Sequence, residues 1–208
     1  MPALAAHLAS VAPGAEVVLV DGGSDDGTAE VAAGCGLRVV CGPRGRAAQM
    51  NLGAAETSGE HLLFLHADTE LPAGVARLVS ETLLAEDVAL GAFGFRFDAR
   101  GWQIGFVELG ARLRNWLRPW PYGDQAIFLR RETFERLGGF APLGIMEDME
   151  LVKRARGLGR IVVRPEPAVT SARRYLERGP VRLMLQHWWL SVRFFAGWRP
   201  QAHEDIRR

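Results

Sequence analysis

Lysine is almost missing. Lys153 stands alone among 25 basic residues, and every other cation in the 208-residue chain is an arginine. Arginine carries a planar fork suited to phosphate or carboxylate. A coding bias would give the same composition. Excess charge of one sign is missing too. The formal net charge is +1, so no overall field draws the chain to nucleic acid. Cysteine is scarce. Cys35 and Cys41 have the spacing of neither a zinc knuckle nor a redox pair, which leads us to expect reduced thiols in a cytoplasmic protein. Long apolar runs are also missing. None reaches the roughly 18 residues that a membrane span needs. Residues 1–13 lack the basic segment of a secretory signal. There are no internal repeats or low-complexity tracts. Neither G-x-x-x-x-G-K-[ST] nor G-x-G-x-x-G occurs, which removes the two commonest glycine-rich phosphate cradles.

The rest is the composition of a folded domain. Hydrophobic residues make up 48% and charged residues 24%, enough for one sizeable core. Short valine-rich runs alternate with helical patterns. Strands are expected over 16–20, 37–41 and 61–66, and helices over 4–11, 28–33, 46–57 and 72–85. This alternation predicts an α/β fold with a mostly parallel sheet flanked by helices. The second half is more mixed. Strands are expected over 89–98, 125–130 and 161–163. Helices are expected over 104–117, 131–137, 149–158 and 182–198. In the helix over 104–117, Glu108, Arg112 and Asn115 form a polar stripe.

Ligands of open α/β sheets bind at the carboxyl ends of strands. Two strands here end in acids. One gives Asp21-Gly22-Gly23-Ser24-Asp25-Asp26-Gly27 and the other His66-Ala67-Asp68. Asp21 is placed to accept a hydrogen bond from a base or ribose. Asp25 and Asp26 read as turn or helix-capping residues. Asp68 is a hard oxygen donor suited to a divalent cation that bridges phosphates. His66 is a neutral ligand or a supporting donor beside it. A third acidic place is Glu147-Asp148-Met149-Glu150, ahead of an apolar helix. Its acids fit either helix capping or a general base for a hydroxyl. Arg44 and Arg46 precede a helix and could hold a phosphate or could simply be solvated. Arg173 and Arg174 could close over a diphosphate. His187 is either packed or an additional contact.

Five segments occur in order: VVLVDGGSDDGT, GRAAQMNLGA, LLFLHADT, GDQAIFLRRETFERLGGF and MEDMELVKRAR. They resemble the family-2 glycosyltransferases of the GT-A fold, and within these the branch named for arsenosugar biosynthesis. The resemblance runs over most of residues 4–178. It implies a nucleotide-diphosphate sugar donor, often a UDP-sugar, with Mn²⁺ or Mg²⁺, and inversion by one in-line displacement. It places Asp21, Gly22, Gly23, Arg46 and Ala67 at the nucleotide. It places Asp68, with His66, at the metal, and Asp148 as the base that activates the acceptor hydroxyl. Gly123, Asp124, Gln125 and Glu147 fall on the acceptor side. His66 stands where the family's Asp-x-Asp motif has its first acid. The family's opening strand and its Ile-Pro-x-x-Asn-Glu loop are not in this sequence, so we expect a sheet lacking that strand.

The expected organisation is a GT-A domain over 1–178 and a C-terminal amphipathic helix and tail over 179–208. That helix is rich in tryptophan and arginine, which suits peripheral membrane contact as well as core packing or homodimerisation. Two other readings compete. A sugar nucleotidyltransferase shares the sheet, metal and acids but needs a basic glycine-rich loop, which is absent. A non-catalytic nucleotide-sugar binder would not need Asp148. A haloacid-type phosphatase fails because His66 occupies the place of its nucleophilic aspartate.

Overall fold

The computed structural model describes residues 2–198. The first half follows the expected alternation through α3: α1 (Pro2–Val11), β1 (Val18–Asp21), α2 (Thr28–Gly34), β2 (Arg38–Cys41) and α3 (Arg46–Ala55); the strand expected over 61–66 is shorter, β3 (His61–Leu63), and an unexpected two-residue strand, β4 (Thr69–Glu70), precedes α4 (Val75–Leu83). Then come β5 (Val88–Phe97), α5 (Trp102–Leu117), a 3-10 turn at Gly123–Gln125, β6 (Phe128–Arg130), α6 (Arg131–Arg136), α7 (Glu147–Ala155), β7 (Arg160–Thr170), α8 (Arg173–Arg178) and α9 (Pro180–Phe195). The expected tail over 199–208 lies outside the described residues.

The α/β class holds, but parallel pairing has a smaller share than expected. β1 pairs with β2 in parallel, from Val18↔Arg38 to Asp21↔Cys41. These two strands form a sheet of their own. The second sheet has the order β3-β6-β5-β7-β4. Within it only β5 and β7 are parallel, while β3–β6, β4–β7 and β5–β6 are antiparallel. Long-range side-chain contacts fix the direction of β6. The Gln125 amide donates to the Phe93 carbonyl in the second half of β5 (2.8 Å). Arg130 donates to the carbonyls of Leu83 at the end of α4, of Glu86 in the connection, and of Val88, which opens β5. The chain between these anchors therefore runs back along β5.

Each strand of the second sheet sends alternate residues to opposite faces. Leu62, Phe64, Ile127 and Leu129 join one cluster with Phe134, Met149 and Leu151 under α3, α6 and α7. Leu63, Leu65 and Phe128 join another with Leu8, Leu78 and Leu83 under α1 and α4. Gly91 of β5 faces Phe128 so closely that a Cβ there would lie 2.2 Å from the ring. A third cluster of Phe97, Ile104, Val107 and Ala172 seats α5. Packing on both sides of the sheet leaves the strand tips as the open edge.

Candidate active site

The site is assembled from five elements at that edge. Asp148 lies in the first turn of α7, half-buried. Its Oδ2 accepts the backbone N–H of Gly123 at 2.6 Å and its Oδ1 accepts that of Met149 at 2.7 Å. The His66 ring lies against the same glycine. A Cβ on Gly123 would meet His66 Nε2 at 3.0 Å and Asp148 Oδ2 at 3.4 Å. A side chain at 123 would therefore push the strand tip away from α7.

Burial holds the His66 imidazole below its ordinary pKa, with help from the Arg46 cation and against the pull of Asp148 and Asp68. Burial also drives Asp124 up, to about 7, with Asp148 and Asp68 adding and Arg114 and Arg46 opposing. Arg46, His66, Asp68, Asp124 and Asp148 thus share one electrostatic neighbourhood, although they come from positions far apart in the chain. Asp68 is exposed. Its carboxylate has only a long contact, from the Thr69 hydroxyl at 3.5 Å. Among the described residues, no cluster of three or more His, Cys, Asp or Glu side chains could hold a metal ion. A cation at Asp68 would take most of its ligands from elsewhere.

Arg46 opens α3 and pairs through Nε with Glu147 Oε1 at 3.0 Å. Glu147 is 1% exposed, so it holds Arg46 in place rather than lining an acceptor cleft. Gln125 also departs from expectation. It is 0% exposed. Its Oε1 accepts from Arg114 Nη2 (2.9 Å), Asn115 Nδ2 (3.3 Å) and the Tyr122 N–H (3.2 Å). Its position was legible, but its inward direction was not. Asn115 is turned inward as well, and Glu108 accepts the Phe97 N–H at 2.8 Å. Two members of the expected polar stripe therefore point at the protein.

The Asp21 loop organises itself. Its Oδ2 accepts the N–H groups of Gly23 and Ser24, each at 2.9 Å, and its Oδ1 accepts the Ser24 hydroxyl at 2.5 Å. Those bonds, the hydroxyl's first, hold its carboxyl below the usual carboxylate range. Gly23 needs its φ of +83° for this turn. Arg44 donates to the Gly23 carbonyl and Gln49 to the Val20 carbonyl, tying the loop to α3 and its entry. Gly22 packs beside Gln49, and Ala67 is exposed beside Asp68. Asp26 accepts the Thr28 N–H at the start of α2, the turn role expected of it.

Residues 3–141 match the family model described as "Glycosyl transferase family 2". The chain belongs to this family. Among curated proteins, none matches it. Solved structures of the same fold include the mannosyltransferase PcManGT from Pyrobaculum calidifontis in complex with GDP-Man and Mn²⁺, at 21% identity and a TM-score of 0.55, covering 74% of this chain and 47% of that one. Another is glucosyl-3-phosphoglycerate synthase from Mycobacterium tuberculosis in complex with Mn²⁺, UDP-glucose and phosphoglyceric acid, at 20% identity and a TM-score of 0.55, covering 80% of this chain and 66% of that one. The chain thus spans between about half and two thirds of the length of these structures. They show that the family-2 chain has the GT-A fold.

In this family-2 chain two non-glycine residues adopt positive φ among the described residues: Ala126 (47°) and Met146 (65°). They adjoin Gln125 and Glu147. Backbone strain concentrated beside the site is the pattern expected where geometry is held for chemistry. Sequence reading missed Arg114, which stacks over the Tyr122 ring at 3.9 Å, and Asn51, which brackets the Phe140 backbone with two hydrogen bonds. Asn51 lies inside the GRAAQMNLGA segment, the one signal that pointed near it. His187 donates to or accepts from the Tyr175 hydroxyl through Nδ1 at 3.0 Å. Burial, aided by the Arg174 charge, pushes its pKa down to about 4, which is the behaviour of a packed histidine.

Proposed function

We propose that the chain moves a hexose from a nucleoside-diphosphate sugar, UDP-linked, to an acceptor hydroxyl with inversion at the anomeric carbon. The observation that carries this reading is the convergence of Asp148, His66, Asp68, Asp124 and Arg46 at one end of the sheet. Asp148 takes the proton of the attacking hydroxyl. The hydroxyl oxygen forms a bond to the anomeric carbon as the bond from that carbon to the diphosphate oxygen breaks. One displacement inverts the centre. The bonds from Gly123 and Met149 orient the carboxylate as a general base requires. His66 stays neutral and lies against the Gly123 turn beside Asp148.

The residues fit a divalent cation of the Mn²⁺ or Mg²⁺ type. Asp68 offers an exposed, little-used carboxylate, and such ions accept one or two protein oxygens together with phosphate and water. Bound there, the ion would neutralise charge on the leaving diphosphate. Arg46, steadied by Glu147, adds a second positive charge on the same side. The similar structures contain GDP-Man or UDP-glucose with Mn²⁺, which supports a nucleotide-sugar donor. The chemistry is consistent with a cytoplasmic enzyme, where nucleotide sugars are at hand.

Titration calorimetry with UDP and with GDP, each with and without Mn²⁺, tests the reading on the native chain and on Asp68→Ala. The expected result is Mn²⁺-dependent binding of UDP that Asp68→Ala weakens at least tenfold. Binding indifferent to Mn²⁺ and to Asp68 would overturn the site assignment. GDP bound in preference to UDP would overturn the choice of donor.

A further inference from the structure

α5 is apolar on two opposite faces. Ile104, Val107 and Ala111 face the core. Trp102, Phe106, Leu109, Leu113 and Trp116 recur at the spacing of a single stripe and are all exposed, Trp102 at 78% and Trp116 at 79%. α9 repeats the arrangement. Leu183 and Phe194 are buried, while Leu185, Trp188, Trp189 and Val192 form an exposed stripe, with Trp188 at 64%. The two helices pack against each other, close enough that a Cβ on Gly110 would lie 3.7 Å from Met184 Sδ. Gly110 and Met184 lie between the buried and the exposed face of their helices, so the helices meet flank to flank and both stripes turn away from the core. An exposed apolar surface of this extent marks an interaction site.

We propose that this two-helix face docks on an anionic bilayer surface, with both helices lying in the plane of the interface. The charge around it argues for that occupant. Arg112, Arg118, Arg178, Arg182 and Arg193 on or beside these helices are exposed. The acids of the same helices do not offset them: Glu108 is turned to the Phe97 N–H and Glu177 is single. Anionic headgroups would satisfy such an arginine rim. A second copy docked about a two-fold axis would set like charges against like. Tryptophan and arginine suit the headgroup boundary, where an amphipathic ring and a snorkelling cation each find both media. No helix of the described residues is long and apolar enough to cross a membrane, so the mode is lying on the surface. The inference enlarges the expected contact of the C-terminal helix to a face shared with α5. It stands independently of the sugar-transfer reading.

The test is co-sedimentation of the full chain with vesicles of phosphatidylcholine alone and with added phosphatidylglycerol, together with tryptophan fluorescence. The expected result is binding to the anionic vesicles with a blue shift, weakened by raised salt. Trp116→Ser combined with Trp188→Ser should lower binding at least tenfold while leaving the melting temperature and UDP affinity unchanged. Both side chains are mostly solvent-exposed, so the variant should fold. No binding to anionic vesicles would overturn the proposal. So would a homodimer in analytical ultracentrifugation that the double variant dissociates while vesicle binding stays absent, since the face would then join two copies.

Discussion

Replacing Gln125 with leucine removes the node that ties α5, the Tyr122–Asp124 loop and β5 together. The native amide accepts from Arg114, Asn115 and Tyr122 and donates to the Phe93 carbonyl. Leucine has similar volume, so cavity terms are small. The cost comes from stranded partners. Arg114 keeps its stacking on Tyr122, and Asn115 keeps the Trp120 N–H, which donates to its Oδ1. The Phe93 carbonyl loses its side-chain partner in the buried interior, and the Tyr122 N–H loses its own in a half-buried position. At about 1–3 kcal/mol for an unsatisfied buried group and less for a half-buried one, the expected loss is about 1–4 kcal/mol. That is a large share of the roughly 5–15 kcal/mol that holds a domain of this kind. Urea denaturation read by circular dichroism measures it, with Gln125→Glu beside it to keep the acceptor oxygen. Under native conditions the loop carrying Gly123, whose N–H holds Asp148, should loosen as well, so turnover should fall in Gln125→Leu even where the chain remains folded, with UDP affinity little changed. A loss under about 1 kcal/mol in Gln125→Leu would refute the reasoning, because the four hydrogen bonds would then be worth no more than water replaces.

Two further outcomes follow from packing and from titration. Gly91→Ala puts a Cβ 2.2 Å from the fully buried Phe128 ring, so it should cost about 1–3 kcal/mol by overpacking; thermal melting checks it, and Gly91→Ala with Phe128→Leu should recover part of the loss. The His187 pKa falls from 6.5 to about 4 in the fold, so the unfolded chain takes up the proton first and stability drops as pH falls from 6.5 toward 4, by up to about 3 kcal/mol. Asp124, raised from 3.8 to about 7, works in the opposite sense over nearly the same window, so the readout is the difference between the native chain and His187→Phe, whose melting should lack the acid-side drop.

The strand and helix succession through α3 was legible because short apolar runs and glycine stops are local signals; the early end of β3 at Leu63 and the two-residue β4 were not, because β4 exists only by pairing with distant β7. The pairing of the second half was not legible either. β6 is antiparallel to β5 because Gln125 and Arg130 clamp its two ends to distant carbonyls, and nothing local in the 125–130 segment announces those partners. The same limit governs the site. Asp68 and Asp148 could be picked out by residue type and by motif. The inward turn of Gln125, the Arg46–Glu147 pair and the way the Asp21 carboxylate is spent on its own loop depend on side-chain direction, which spacing leaves open. α5 is the clearest case. A helix with apolar residues on both faces has no unique outside by periodicity, and Glu108 and Asn115 proved to face inward while the tryptophans face out.

That inversion joins the outer face to the chemistry. The buried side of α5 supplies Arg114 and Asn115 to Gln125, and the 3-10 turn that ends in Gln125 begins with Gly123, whose N–H holds the Asp148 carboxylate. α9 reaches the same loop, because the Ser191 hydroxyl is hydrogen-bonded to the Tyr122 hydroxyl at 3.0 Å. The exposed tryptophans sit on these two helices. A shift of α5 against α9 would therefore bear on the Tyr122–Gln125 loop, which carries the N–H that holds the proposed base. The half of the proposed site built on β1, α3 and the segment after β3 shares none of those hydrogen bonds. Occupancy of the outer face should accordingly act on the acceptor step and leave nucleotide affinity alone, a separation that titrating UDP in the presence and absence of anionic vesicles can resolve.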